Sequence, residues 1–233
     1  MTLQRHSASS GAQPNSESSH TRAPDSRSST NRVPDDVLLD AARGCVLAVG
    51  VRRTTLAEVA RTASVSRMTL YRRFPDVRSM LAALMTREFG ALLSEASERA
   101  GGARSARERL VNTTVEAIRR LVSDPIMRTV LDVDAELILP YVVQRLGSTQ
   151  QNAERVLRAE VRAGQQDGSI RLGAENIQAR TLLLVAQSFV FSMRTAVSTK
   201  DGITEEALLT ELSRILDQSL RPVPDSEESG EPE

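Results

Sequence analysis

The sequence predicts an all-α protein, and three observations support that prediction. Between a serine-rich start and an acidic end, apolar residues recur at the three- and four-residue spacing of helix faces. We find no convincing alternation of apolar and polar residues of the kind that a half-buried strand shows. Gly and Pro divide the chain into segments of helical length, which is typical of a helical domain.

The two ends of the chain differ from this helical body in composition. Residues 1–32 contain nine Ser and two Pro and almost no large apolar residue, and residues 222–233 are rich in Pro and acids. Segments of this kind cannot bury enough apolar surface to offset the entropy lost on ordering. We therefore predict a disordered tail at each end.

The first helix is predicted to begin at Pro34 and to end at Gly50. Pro34 and the two acids that follow it suit a first helical turn, and Gly is typical of a helix C-terminus. Cys45 falls in the apolar stripe of this helix, and we interpret it as a core residue. Later helices are predicted near 76–99, 104–122, 126–131, 133–146, 149–167, 174–199 and 203–220. Pro140 predicts a kink or a break in the fourth of these.

Composition excludes several classes of site. The two His are His6 and His20, both in the leading tail, and Cys45 is the single Cys. The body therefore cannot form a Cys/His zinc site, a disulfide or a His-based catalytic arrangement. It also lacks the standard phosphate-binding Gly loops, a membrane-length apolar run and the apolar core of a signal peptide. We expect a cytoplasmic protein that is not an enzyme and holds no metal or cofactor.

Charge is distributed unevenly along a chain whose formal net charge is zero. Residues 51–80 hold seven Arg against two acids, a local net of +5. Residues 81–233 hold 18 Lys plus Arg against 23 acids, a net of −5. A basic block beside an acidic remainder is typical of a polyanion-binding module joined to another domain.

The most informative motif lies within this basic block, in the run TTLAEVARTASVSRMTLYRRF that starts at Thr54. Thr55 and Glu58 have the spacing of a capping box, which predicts a helix from Leu56. A tight turn at 64–66 follows, and Ser66 is placed to cap a second helix. Two short helices joined by a three-residue turn are typical of the DNA-binding helix-turn-helix.

The second helix of this motif has two different faces. Leu70 and Phe74 are four residues apart and are predicted to point inward. The opposite face holds Arg67, Met68, Tyr71 and Arg72. Arg can bind phosphate or pair with guanine, Tyr can reach a phosphate, and Met can contact a thymine methyl group. A solvated helical hairpin is the alternative, but the caps, the turn and the basic face together favour DNA binding.

Residues 34–85 resemble the TetR family of transcriptional regulators, through a first helix ending in Gly50 and the run ASVSRMTLYRRF. The resemblance implies a DNA-binding domain at 33–80 and a helical ligand-binding and dimerisation domain at 81–221. The implied DNA contacts are Thr55, Ser66, Arg67, Met68, Tyr71 and Arg72. Family members commonly have Lys at the position of Val77, and Arg78 is expected to take over that phosphate contact. The implied function is repression from a palindromic operator by a homodimer that a small effector releases.

The C-terminal half is predicted to contain the effector cavity and the subunit interface. Aromatic residues make up only 3% of the chain, which favours an aliphatic pocket and a lipophilic effector. The candidate cavity residues are Phe89, Leu92, Leu137, Tyr141, Phe189 and Met193. Helix 174–199 is apolar nearly all round, so we expect it and helix 203–220 to form a four-helix bundle with their symmetry mates.

Several alternatives stay open from the sequence. Each candidate cavity residue could be ordinary core. Arg180 and Arg194 could meet an acidic ligand or form ion pairs, and the acids at 132, 134 and 136 could hold a cation or start a helix. A ligand-independent DNA-binding regulator or architectural protein is the alternative function.

Overall fold

The structure is a computed structural model that describes residues 33–133, 136 and 146–223. Its helices are α1 (Asp35–Val49), α2 (Leu56–Thr62), α3 (Arg67–Arg73), α4 (Val77–Arg99), a 3-10 turn η1 (Ala100–Gly102), α5 (Ala106–Ser123), α6 (Pro125–Val133), α7 (Ser148–Gln166), α8 (Glu175–Ala196) and α9 (Glu205–Leu220). Within these residues, the only β pairing is a single antiparallel bridge between Ser198 and Ile203. The all-α prediction is confirmed. No described helix is both long and apolar enough to cross a membrane.

Side-chain caps fix where most helices begin. The side chains of Ser105 and Thr204 accept hydrogen bonds from the amides three residues ahead, so α5 and α9 begin after them, each two residues later than predicted. Gly50 ends α1 with a φ of 82°, as expected for a Gly at a helix C-terminus. The predicted helix at 133–146, with Pro140, lies largely outside the described residues.

The first four helices form the core of the DNA-binding half. Helix α1 packs on α2 and α4, and α2 packs on α3. Leu38, Val46 and Val59 are almost completely buried there, and Cys45 is buried as predicted. The predicted domain boundary at residue 80 falls inside α4, a continuous helix that carries residues of both halves.

A second core fills the C-terminal half around α5. This helix packs against α4, α6, α7, α8 and α9. Its buried face, which includes Leu110 and Ile118, meets Val161 of α7, Leu182 of α8 and Leu212 of α9 in one apolar cluster. Helix α5 is therefore the central helix of this second core.

Helix α8 carries apolar side chains on two opposite faces. Ile177 and Leu184 are 64% and 56% exposed in the single chain, whereas Leu182 and Met193 are buried. The helix ends at Ala196, and the β-bridged turn at 198–203 follows it. One face of α8 therefore belongs to the core, and its opposite face carries uncovered apolar side chains.

Candidate DNA-binding site

Short local hydrogen bonds set the geometry of α2, the turn and α3. The Thr55 hydroxyl accepts from the amide of Glu58 at 3.2 Å, and the Ser66 hydroxyl accepts from the amide of Thr69 at 3.1 Å. Between them, Ser64 adopts a left-handed φ of 55° and the amide of Val65 donates to the carbonyl of Ala60 at 3.0 Å. The chain thereby reverses within three residues, which is the turn of a helix-turn-helix.

The predicted capping box at the start of α2 forms only in part. Thr55 caps the helix, but the Glu58 carboxylate accepts from Arg61 Nη2 at 2.6 Å and from Arg61 Nε at 3.2 Å. The hydrogen bond and charge of Arg61 lower the pKa of Glu58. Because an ion pair at this spacing is available on the same helix face, it engages the carboxylate that the capping box would have used.

Burial of two side chains fixes the rotation of α3. Leu70 and Phe74 are 0% and 5% exposed, as their spacing predicted. The opposite face consists of Arg67, Met68, Tyr71 and Arg72, all exposed. The Met68 side chain is 77% exposed to solvent. We call these four residues the reading face.

The seven arginines between residues 51 and 80 divide into two groups. Arg52 pairs with Glu136, Arg61 with Glu58, and Arg73 with Asp35. The others are exposed and form no ion pair with any residue that the structure describes; they are Arg53, Arg67, Arg72 and Arg78. Their charge is therefore not neutralised within the described chain.

Two of these unpaired arginines lie outside α3, near the starts of α2 and α4. Arg78 lies in the first turn of α4, directly after Val77. The adjacent Asp76 caps α4, and the amide of Ser79 donates to its carboxylate at 2.7 Å and lowers its pKa. Arg53 precedes α2 and was not among the predicted contacts. Its signal in the sequence was only its place in the basic block next to the capping Thr.

An ion-pair network joins α1 to the middle of α4. Arg87 lies 2.9 Å from Asp40, 3.6 Å from Asp36 and 2.7 Å from Glu88, and Arg43 lies 3.0 Å from the same Glu88. The Glu88 side chain is only 16% exposed, so it is the least hydrated member. Helix α1 is thereby tied to the part of α4 that leads into the C-terminal core.

The predicted cavity residues fall into three groups. Phe89, Phe189 and Met193 belong to one apolar cluster, with Met193 fully buried in it and the two Phe partly buried. Leu92 is half-buried on α4. Leu137 and Tyr141 lie outside the described residues. Three of the six predicted residues thus belong to the same apolar cluster of the body.

The charged candidates of this half form ion pairs across helices. Arg180 lies 2.8 Å from Glu154, and Arg194 pairs with Asp132. Glu136 pairs with Arg52 of the DNA-binding half. Two of the three acids considered as a cation site are thus bound to different arginines, and the described residues contain no cluster that could hold a metal ion.

Comparisons with known proteins agree with this architecture. A family model described as bacterial regulatory proteins of the tetR family matches residues 38–84. An uncharacterised HTH-type transcriptional regulator of Mycobacterium bovis is 39% identical over 179 residues, which is 77% of this chain and 90% of the relative. An uncharacterised regulator of Mycobacterium tuberculosis is 38% identical over the same share of each chain.

Solved structures share the fold at lower identity. FadR from Bacillus subtilis, in complex with stearoyl-CoA, has a TM-score of 0.58 and 16% identity, covering 81% of this chain and 100% of that one. A putative transcriptional regulator from Saccharomonospora viridis, in complex with choline, has a TM-score of 0.56 and 16% identity, covering 80% and 97%. The TetR-family repressor QsdR of R. erythropolis has a TM-score of 0.60 and 14% identity, covering 80% and 95%. This chain belongs to the TetR family of bacterial transcriptional regulators.

Proposed function

We propose that this regulator is a repressor that binds an inverted-repeat operator as a homodimer and leaves it when a small, mostly apolar effector binds the C-terminal half. The observation that carries the proposal is the reading face, which the buried pair Leu70 and Phe74 holds toward solvent. Exposed arginines without an internal partner lose no ion pair when they meet phosphate. The reading face therefore offers exposed positive charge that can meet the phosphates and base edges of a DNA major groove.

Each residue of the site has a role in this proposal. Arg67 and Arg72 read guanine edges or bind phosphate, and Met68 contacts a thymine methyl group. The Tyr71 hydroxyl donates a hydrogen bond to a phosphate oxygen. Further contacts to the phosphate backbone come from Thr55, Ser66, Arg53 and Arg78. Phosphate contacts position the helix on the duplex, and the base contacts of α3 select the sequence.

The subunit interface is proposed on the exposed faces of α7 and α8. Ile177 and Leu184 are seven residues apart and exposed on one face of α8, and Val156 of α7 is 46% exposed. By contrast, Leu209 and Leu212 of α9 are buried inside the subunit, at 0% and 1% exposure. Of the α9 side chains expected at the interface, these two therefore belong to the core, whereas Ile215 is 52% exposed. A two-fold packing of α7 and α8 would cover the exposed stripe as a four-helix bundle.

Helix α4 is the proposed lever between effector and DNA. Phe89 packs into the apolar cluster of the body, while the neighbouring Arg87 and Glu88 are bound to α1. A ligand that displaces Phe89 would shift the adjacent Arg87 and Glu88. Because these two residues are bound to α1, the DNA-binding helices of the same subunit would move with them. A coupling of about 1–3 kcal/mol changes DNA occupancy by about five- to 150-fold. FadR from Bacillus subtilis is in complex with stearoyl-CoA, so a protein of this fold can bind a ligand that carries a long acyl chain.

The first experiment selects operator sequences from random DNA and measures binding by fluorescence anisotropy. An enriched inverted repeat bound by a dimer supports the proposal, and a single half-site bound by one chain contradicts it. The same complex is then titrated with lipophilic molecules that raise the melting temperature of the protein. Linkage requires operator DNA to weaken effector binding by the factor by which the effector weakens DNA binding. Equal effector affinity with and without operator would favour the alternative of a ligand-independent DNA-binding regulator.

A further inference from the structure

One buried polar group of the C-terminal half has no hydrogen-bond partner among the described residues. The side-chain nitrogen Nε2 of Gln187 is buried and makes no hydrogen bond with the rest of the chain as the structure describes it. The other such atom, Arg107 Nε, lies 3.5 Å from a carboxylate oxygen of Asp217. Buried amide donors in proteins are nearly always bonded, because leaving one unsatisfied is destabilising. Gln187 is thus the exception that requires an explanation.

The helix register shows where Gln187 lies. Helices α7 and α8 run antiparallel, because Arg162 pairs with Glu175 and Glu154 pairs with Arg180. Gln187 is two turns beyond Arg180, which places it level with the N-terminal turn of α7. Ser148, in that turn, is bonded to Thr86 of α4 at 3.0 Å. The unsatisfied donor therefore lies on α8 at the level where α7 meets α4.

The surroundings along the helix are apolar. Val185, Ala186 and Phe189 lie within two residues of Gln187 and pack against the body's apolar cluster. The α4 residues next to Thr86 are Arg87, which is bound to α1, and then Glu88 and Phe89. A ligand group bonded to Gln187 would consequently lie at the level of the segment of α4 that the lever requires.

We propose that Gln187 is the polar anchor of the effector site and that the effector is an apolar molecule carrying one neutral hydrogen-bond acceptor, such as an ester, thioester or amide carbonyl oxygen. The inference rests on the proposed function, which it narrows from lipophilic molecules in general to acceptor-bearing ones. A neutral amide donor selects a neutral acceptor over a pure hydrocarbon, since the hydrocarbon leaves the donor unsatisfied. Discrimination by one such hydrogen bond amounts to about tenfold in affinity.

The test compares saturated fatty-acid methyl esters with n-alkanes of equal chain length, using the full-length protein. We expect esters to bind about tenfold more tightly than alkanes of the same length. In Gln187→Leu, alkane binding persists and the preference for esters disappears. The control Asn176→Leu removes an exposed amide near the start of the same helix and keeps the preference. Equal binding of ester and alkane by the unmodified protein, or binding of neither, overturns the inference.

A second readout needs no ligand. Removing an unsatisfied donor stabilises the empty protein, so Gln187→Leu and Gln187→Met should each raise the melting temperature by about 2–4 °C. A fall in both variants would show that the amide has a structural partner and would overturn the inference. An ester preference that depends on Gln187 but leaves operator affinity unchanged would keep the anchor and refute the proposed effector response. Operator release by esters and alkanes alike would keep the proposed effector response and refute the role of Gln187 as its polar anchor.

Discussion

The reading face of α3 and the helix contacts of the C-terminal body use arginine in different ways. In the body, Arg109, Arg119, Arg162 and Arg180 each pair with a carboxylate on another helix. In the DNA-binding half, the two arginines of the reading face have no ion pair with any described residue. An internally paired arginine positions helices, whereas an unpaired exposed one remains available to phosphate. Two unpaired arginines on one exposed helix face favour the reading face as the surface that would bind a polyanion, although the net charge of the whole chain is zero.

The largest expected effect on stability comes from placing a charge in the core of the body instead of on its surface. Leu212→Glu places a charge in a fully buried position and should unfold the chain or make it insoluble, at a cost of several kcal/mol. Leu184→Glu places the same charge on the exposed stripe of α8 and should leave a folded helical protein that sediments as a monomer. Circular dichroism and sedimentation velocity measure both outcomes. A folded Leu212→Glu dimer would show that α9 is not part of the core.

Close packing gives the next largest effect. A Cβ atom on Gly164 of α7 would lie 2.4 Å from side-chain atoms of Ile170, which is itself buried. Gly164→Ala should therefore destabilise the body by about 1–3 kcal/mol, as measured by urea unfolding. Gly44→Ala is the matched control in the DNA-binding half, because an added Cβ there meets nothing within 4 Å. Ile170→Val should restore part of the loss, and failure to do so would locate the strain elsewhere.

Lowering the pH should reduce the stability of the DNA-binding half, because the capping carboxylate of Asp76 becomes protonated. The Ser79 amide lowers the pKa of Asp76, so this carboxylate stabilises the fold above the ordinary Asp pKa of about 3.9 and ceases to do so as the pH falls through the lowered value. Asp76→Asn keeps a capping oxygen without the titration. Stability should therefore fall less steeply with acid in this variant than in the unmodified protein. Parallel pH profiles from pH 5 to pH 2 would show that the cap does not contribute in this way.

The smallest expected effect concerns the turn before α3. Ser64 has a positive φ of 55°, where a residue with a Cβ is strained and Gly is not. Ser64→Gly should raise stability by about 0.5 kcal/mol, because relief of strain exceeds the added entropy of the unfolded chain. Ser94→Gly, inside α4, should instead lower stability by about 0.5–1 kcal/mol. Destabilisation by both changes would contradict a strained turn.

The DNA-binding half was predictable because its signals are local. The inward pair Leu70 and Phe74 and the cap Ser66 all lie within nine residues, and the structure confirms their packing and capping. Arg53 was not predicted as a DNA contact, because whether an arginine forms an ion pair can depend on residues far away in the sequence. The adjacent Arg52 has the same chemistry but meets Glu136, a residue 84 positions away.

The helices of the body could be predicted from the sequence, but the face of each helix that packs into the core could not. Leu184 and Leu212 are the same residue type on amphipathic helices, yet one is 56% exposed and the other 1%. Which of them faces the core depends on how α5, α8 and α9 cross, and periodicity within one helix does not contain that information. The unsatisfied amide of Gln187 is equally invisible in a sequence, since satisfaction depends on all neighbouring helices.

The most direct test of the account compares paired and unpaired arginines on operator DNA across a range of salt concentrations. Arg67→Ala with Arg72→Ala should weaken operator binding by about 10²-fold or more and flatten its dependence on salt. The matched pair Arg162→Ala with Arg180→Ala removes the same charge from the body and should leave both quantities nearly unchanged. An operator affinity and salt slope unaffected by the first pair, or lowered equally by the second, would contradict the claim that the reading face of α3 recognises DNA.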